Sequence, residues 1–297
     1  MTVVLESRAL SKRYGKRQAL TDCTLSIPAG RIAGLVGPNG AGKTTLLNLA
    51  VGLLTPTSGT IEVLGGQPAS GPGQLARVGF VAQDTPGYTG LTVAEHLTLG
   101  ARMNPGWDAG LARRRIEAVG LDPRQRAGKL SGGERAQLAL TLAIAKRPEF
   151  LVLDEPVASL DPLARRQFLQ GLMEAAVEHE LSVLISSHLV ADLERVCDYL
   201  IVLIESRVQL ADDVDQLLAS HRLLTGPRCD LSALPADWQV ISASHTDRQS
   251  TLLVRTTSPV TESAWVVEQI GMEDLVLAYM SKAAKTPGVN RTLEVQR

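Results

Sequence analysis

Eight consecutive residues, Gly37-Pro38-Asn39-Gly40-Ala41-Gly42-Lys43-Thr44, restrict the fold of this chain more than any other stretch. They match G-x-x-x-x-G-K-[ST], a pattern that carries meaning only between a strand and a helix. Both neighbours have the right character. Ile32-Ala33-Gly34-Leu35-Val36 is a short apolar run bounded by glycines and reads as a buried strand, while Thr45-Leu46-Leu47-Asn48-Leu49-Ala50 opens a helical pattern. Strand, glycine-rich turn and helix N-terminus together form a nest of backbone N–H groups that fits the phosphates of a nucleotide. In that geometry Lys43 reaches the β- and γ-phosphates, and the Thr44 hydroxyl serves as a magnesium ligand. A turn that matched by chance would lack the flanking elements. The loop points to a purine nucleotide and leaves open what its energy drives.

Periodicity along the rest of the chain supports an α/β fold. Residues 3–27 read as strands around a basic turn, Lys12 to Arg17, and Thr60–Leu64 and Val78–Val81 as further strands separated by a Gly/Pro/Ser-rich loop from Gly65 to Gly73. Helical spacing takes over at 92–126 and again at 131–147. Then come strand 150–153, helix 163–180, strand 182–186 and strands near 199–204 and 207–210. Strands alternating with helices predict a largely parallel sheet. Beyond about residue 221 the texture shifts. Thr225-Gly226-Pro227 and Leu234-Pro235 punctuate the chain, 238–243 and 251–256 look like strands, and 262–284 looks helical, so a small α+β appendage is expected there.

Composition narrows the partners. The formal net charge of the 297 residues is −1, so there is no global basic field and no nucleic acid is expected as the main partner. The three cysteines, Cys23, Cys197 and Cys229, form no C-x-x-C pair, which argues against a zinc site or disulfide framework and points to a reducing cytoplasm. No run of about eighteen apolar residues is present, so the chain is not expected to span a membrane. Its first ten residues lack a signal-peptide core.

Other residues carry chemistry at a distance from the glycine loop. Leu130-Ser131-Gly132-Gly133-Glu134-Arg135-Ala136-Gln137 places a serine and two glycines at a helix N-terminus, which is either a second anion-binding geometry or a simple cap. Phe150–Leu153 is an apolar strand delivering Asp154 and Glu155 at its carboxyl end, where ligands bind in open α/β sheets. Asp154 is suited to hold magnesium, and Glu155 to orient or deprotonate a water. Gln83 follows a strand and offers an amide to magnesium or water. His188, in Ser186-Ser187-His188, sits just past another strand. Tyr14 reads either as a stacking platform for adenine or as a strand-end aromatic.

Taken together, Gly37–Thr45, Gln83, Leu130–Gln137, Leu151–Pro156, Ser159-Leu160-Asp161 and His188 follow one another in the order and approximate spacing seen in ATP-binding cassette (ABC) ATPases. The chain resembles that family over about residues 3–220. In its vocabulary these segments resemble the Walker A loop, Q-loop, signature, Walker B strand, D-loop and H-loop, with Tyr14 placed like the A-loop aromatic. The resemblance implies a P-loop NTPase cassette over 1–220, with a mixed sheet and a helical subdomain at about 87–147, and leaves 221–297 as a small accessory domain. It also implies ATP and magnesium as ligands. Pro38, Asn39, Gly40, Ala41, Gly42, Lys43, Thr44 and Thr45 would cradle the nucleotide, with Thr44, Gln83 and Asp154 toward the metal. Glu155 would act as base, with His188 on the γ-phosphate. Ser131, Gly132, Gly133, Glu134 and Asp161 would close the site from a second cassette, in a homodimer or with a sister subunit. Glu134 departs from the Gln most often found in the family.

The expected function is the ATP-hydrolysing subunit of an ABC transporter at the inner face of the cell membrane, driving a multi-span permease through Gln83 and the helical region. Export is expected over import. The run Met272 to Tyr279 and the segment Met103-Asn104-Pro105-Gly106-Trp107-Asp108 resemble stretches of bacterial export cassettes. The competing reading is a soluble ABC ATPase acting on nucleic acid or the ribosome. Such relatives carry long heptad insertions, zinc-ligand cysteines or paired cassettes, and this sequence has none of them.

Overall fold

The computed structural model describes residues 2–84, 87–258, 260 and 264–285. The chain separates into two compact units, Met1–Val214 and Asp215–Arg297.

In the first unit β1 (Val3–Tyr14) and β2 (Arg17–Pro28) form an antiparallel hairpin, and β3 (Ile32–Val36) feeds the glycine loop and α1 (Lys43–Ala50). The strand β4 (Ser58–Val63) pairs with β1. A short helix, α2 (Pro72–Arg77), begins inside the stretch expected to be loop and leads to β5 (Val78–Val81). Pro72 at its first position suits the preset φ of a helix start, which composition alone reads as a turn. The helices α3 (Val93–Met103), α4 (Ala109–Ala118) and α5 (Gly132–Ala145) follow. They share a cluster of their own around Val93, Ile116, Leu121, Leu130 and Leu138. Then come β6 (Phe150–Leu153), α6 (Pro162–Glu178), β7 (Ser182–Ser187), α7 (Val190–Leu193), β8 (Tyr199–Ile204) and β9 (Arg207–Asp213).

Six of these strands make one sheet in the order β5-β6-β7-β3-β8-β9. All neighbours are parallel except β8 and β9. Every residue of β6 and β8 is buried, as strands covered on both faces must be, which is why they read as unbroken apolar runs. Because β3, β5, β6 and β7 point the same way, the residues that follow them emerge along one edge. The glycine loop, Gln83, Asp154–Glu155 and His188 are those residues.

The second unit has an antiparallel sheet in the order β11-β12-β10-β13. Its strands are β10 (His221–Pro227), β11 (Gln239–His245), β12 (Gln249–Arg255) and β13 (Val266–Glu268), and its small core includes Leu224, Trp238, Leu252 and Val254. The helices of this part are α8 (Val214–Ser220), which begins at the boundary, and α9 (Met272–Lys285).

Two expectations fail in this part. Thr225-Gly226-Pro227 is the end of β10, paired residue for residue with β12, and not a turn. Pro227 is tolerated because it is the last residue of the strand. The stretch 262–284 is helical only from Met272, since Val266–Glu268 is a strand; Thr261–Ser263 lie outside the described residues. The reason is tertiary. The Trp265 ring packs so closely on Gly226 that a Cβ there would lie 2.6 Å from it, and it meets Trp238 edge-on at 6.2 Å, which holds the segment extended against β10.

Candidate active site

The glycine loop is shaped by close backbone approach. Gly42, which precedes α1, has φ +109°, and a Cβ on it would lie 2.4 Å from the Ala19 carbonyl oxygen. At Gly37 a Cβ would lie 2.1 Å from the carbonyl oxygen of Leu203. Neither position admits a side chain. The loop closes on itself through Ala41 N–H, which donates to Pro38 O at 3.1 Å.

Lys43 is 6% exposed and doubly held: its Nζ donates to Gly37 O at 2.8 Å and lies 3.3 Å from Glu155 Oε1. The other carboxylate oxygen, Glu155 Oε2, is 2.8 Å from His188 Nδ1. A carboxylate accepts, so Nδ1 carries the proton and Nε2 is the imidazole's remaining polar atom. Glu155 sits directly after β6 and Asp154 with φ +44°, a left-handed conformation that is uncommon for a non-glycine residue. Asp154 is 2% exposed, and its Oδ1 accepts from Ser186 Oγ at 2.7 Å.

Tyr14, Asn39, Gly40, Gly42, Lys43, Thr44, Thr45, Gln83, Glu155 and His188 line one cleft of about 540 Å³. Chain segments separated by well over a hundred residues therefore meet there. Ser131, Gly132, Gly133, Glu134 and Asp161 do not join them; they line a second cleft of about 590 Å³. In that cleft the serine and glutamate form a reciprocal cap on α5: Ser131 N–H donates to Glu134 Oε2 at 2.7 Å, and Glu134 N–H to Ser131 Oγ at 3.3 Å. Asp161 caps α6, accepting from Leu163 and Ala164 N–H at 2.9 and 3.0 Å.

The oxygen donors near the loop suit a small hard cation bound together with phosphates. Thr44 and Gln83 supply a hydroxyl and an amide, Glu155 a carboxylate that lines the same cleft, and the buried carboxylate of Asp154 precedes it in the chain. Among the described residues no group of three or more His, Cys, Asp or Glu is arranged to hold a metal, so the donors do not amount to an all-protein cage.

Two further residues belong to the site and carry little signal in the sequence. Arg17 lines the first cleft, with a guanidinium nitrogen 3.5 Å from where a Cβ of Gly40 would be, and its only signal was its place in the basic turn. Ser186 was visible only as the neighbour of Ser187 and His188, because which groups a buried hydroxyl joins depends on strand order.

The chain is similar to proteins of one family. A sequence profile of the family described as "ABC transporter" matches residues 20–158. The Nod factor export ATP-binding protein I of Cupriavidus pinatubonensis is 35% identical over 210 residues, covering 68% of this chain and 64% of that protein. The thiamine import ATP-binding protein ThiQ of Salmonella typhimurium is 32% identical over 205 residues, covering 67% and 86%. A solved structure of an ATP-binding subunit of an ABC transporter superposes with a TM-score of 0.64 at 28% identity, over 72% of this chain and 91% of that one.

Proposed function

The chain belongs to the ABC transporter family as an ATP-binding subunit, and from that membership we propose how its residues divide the work of hydrolysing ATP to drive transport. The observation that carries the assignment is the chain of contacts Lys43–Glu155–His188, 3.3 and 2.8 Å long, beside the glycine loop. Lys43 and the loop N–H groups hold the β- and γ-phosphates, and Tyr14 stacks on the base. Glu155 orients and deprotonates the attacking water. His188, oriented by its Nδ1 contact to Glu155, offers Nε2 to the γ-phosphate. Thr44, Gln83 and Asp154 would hold magnesium, which would offset charge on the phosphate oxygens.

The signature residues Ser131, Gly132 and Gly133 lie in a cleft of their own, which supports their serving the nucleotide of a second cassette. Two copies, or this chain and a sister subunit, pair head to tail. Coupling to a multi-span permease at the inner face of the membrane runs through the helical part of the first unit. There Tyr88 and Met103, 67% and 71% exposed, border a groove of about 470 Å³ with Leu99 and Trp107. Such a patch fits an apolar helical segment of a membrane partner. Among the described residues no helix is long and apolar enough to cross a membrane. We assign the direction of transport as export, as in the Nod factor relative. ATP-driven uptake into inside-out vesicles carrying the permease would support it, and uptake into right-side-out cells would reverse it.

Glu155→Gln keeps the size of the side chain while removing the base, and replaces one of its two accepting oxygens with a donating amide group. We expect ATP affinity within about twofold of the parent, turnover lowered about 10²-fold or more, and a dimer that persists in ATP on size-exclusion chromatography. A variant that remains monomeric in ATP while hydrolysing it at the parent rate would overturn the assignment.

A further inference from the structure

Ser186 is fully buried near the end of β7, one strand over from the acids that end β6. The two strands run parallel with Leu153 level with Ile185, so Ser186 arrives beside Asp154. Its hydroxyl is used twice. Oγ donates to Asp154 Oδ1 at 2.7 Å and accepts from the Glu155 backbone N–H at 2.8 Å. Glu155 is also the residue held at φ +44°, where local preference does not keep it. The bend that aims its side chain at Lys43 and His188 is thus tied to the neighbouring strand by this hydroxyl. Asp154 Oδ1 is committed to the same group, and the carboxylate rotation that fixes Oδ2 follows from it.

We propose that Ser186 is a positioning residue for ATP hydrolysis, one hydroxyl that sets the orientation of both acids, Asp154 toward the metal and Glu155 toward the water. The inference rests on the roles assigned to those acids above. A hydroxyl that only satisfied a buried strand end would bond backbone groups, as Ser187 does when it donates to Leu189 O at 3.1 Å. Ser186 instead joins the side chain of one acid to the backbone of the other.

The test uses the full chain. Ser186→Ala removes both bonds at little cost in volume, Ser186→Thr retains the hydroxyl, and Ser187→Ala controls for loosening the end of β7. Outer-sphere partners of this kind cost about 10–100-fold when removed. For Ser186→Ala we expect kcat for ATP to fall by about that factor with KM nearly unchanged. We also expect the gain in equilibrium ATP affinity produced by magnesium, measured against chelator, to shrink several-fold. Ser186→Thr should recover most of kcat, and Ser187→Ala should match the parent in both readouts. The inference is overturned if a folded Ser186→Ala keeps parental kcat and magnesium dependence, or if Ser187→Ala loses as much. If Ser186→Thr does not fold, the magnesium-dependent affinity of Ser186→Ala decides alone. Glu155→Gln in parallel separates the two levels. An inactive Glu155→Gln beside a normal Ser186→Ala sinks only the role of Ser186, whereas an active Glu155→Gln sinks the site reading beneath it.

Discussion

Lys43 illustrates how much one side chain is asked to do. Buried to 6% exposure, its ammonium is stabilised by the Gly37 carbonyl and the Glu155 carboxylate, so it is presented to the cleft as an ordered charge. A hydrogen bond to a charged partner contributes about 2 kcal/mol, which corresponds to roughly thirtyfold in affinity. Lys43→Ala should therefore weaken ATP binding by about that factor in calorimetry, with enthalpy lost as well as affinity. Unchanged affinity would mean the loop N–H groups and Arg17 hold the phosphates without it. The residue's identity was legible in the glycine-loop pattern because strand, turn and helix start lie within a few residues of one another. Its contact with Glu155 was not, because the two meet only when β3 and β6 take their places on either side of β7.

At the scale of elements, α5 answers a question the sequence raised. Glu134 stands where the family most often has Gln. The structure commits its carboxylate to the Ser131 N–H at 2.7 Å, at the positive end of the helix. Glu134→Gln retains an acceptor and should leave thermal stability nearly unaltered. Glu134→Ala loses the reciprocal cap and should cost about 1 kcal/mol, read as a lower midpoint in denaturant titration. Equal stability of the three proteins would show that the cap contributes nothing. The cap at Ser131 was readable because it spans a single turn, whereas the part Glu134 plays in it came from the structure. By contrast, β13 has no periodicity in three residues and owes its shape to Trp265 packing on Gly226 and Trp238.

For the whole molecule, the second unit carries a buried histidine that ties its stability to pH. His221 in the second unit is fully buried, with Nδ1 donating to Leu217 O at 2.7 Å and Nε2 accepting from the Tyr279 hydroxyl at 3.1 Å. Burial holds its pKa below the ordinary histidine value, and Arg255 and Arg222 push the same way against the opposing effect of the Leu217 carbonyl. The unfolded chain therefore binds a proton first. Stability rises with pH in this window and is lost as pH falls below about 6.5, levelling off once the folded-state pKa is passed. Asp230, whose carboxyl is lowered by the Ser232 N–H, acts in the same direction but only in the more acidic carboxylate range. Hydrogen exchange of β10 and β12 between pH 7.5 and about 5.5 should show this unit opening more easily as pH falls. His221→Gln should flatten the dependence, and an unchanged slope would place the titrating group elsewhere.

The sequence by itself determined the cassette: the glycine loop, the apolar strand ending in Asp154 and Glu155, the signature turn at Ser131 and the order in which they occur. Each of these is a strand, turn or cap whose stereochemistry is settled within about ten residues, so composition and spacing suffice to read it. Tertiary structure alone decided which of them share a site. The parallel order β5-β6-β7-β3 brings Gln83, Glu155, His188 and Lys43 to one sheet edge and slides Ser186 between the two acids. It leaves Ser131–Gly133 in a different cleft. Lateral neighbours in a sheet are chosen by the burial of whole strands, a long-range free energy that no local window of the sequence contains.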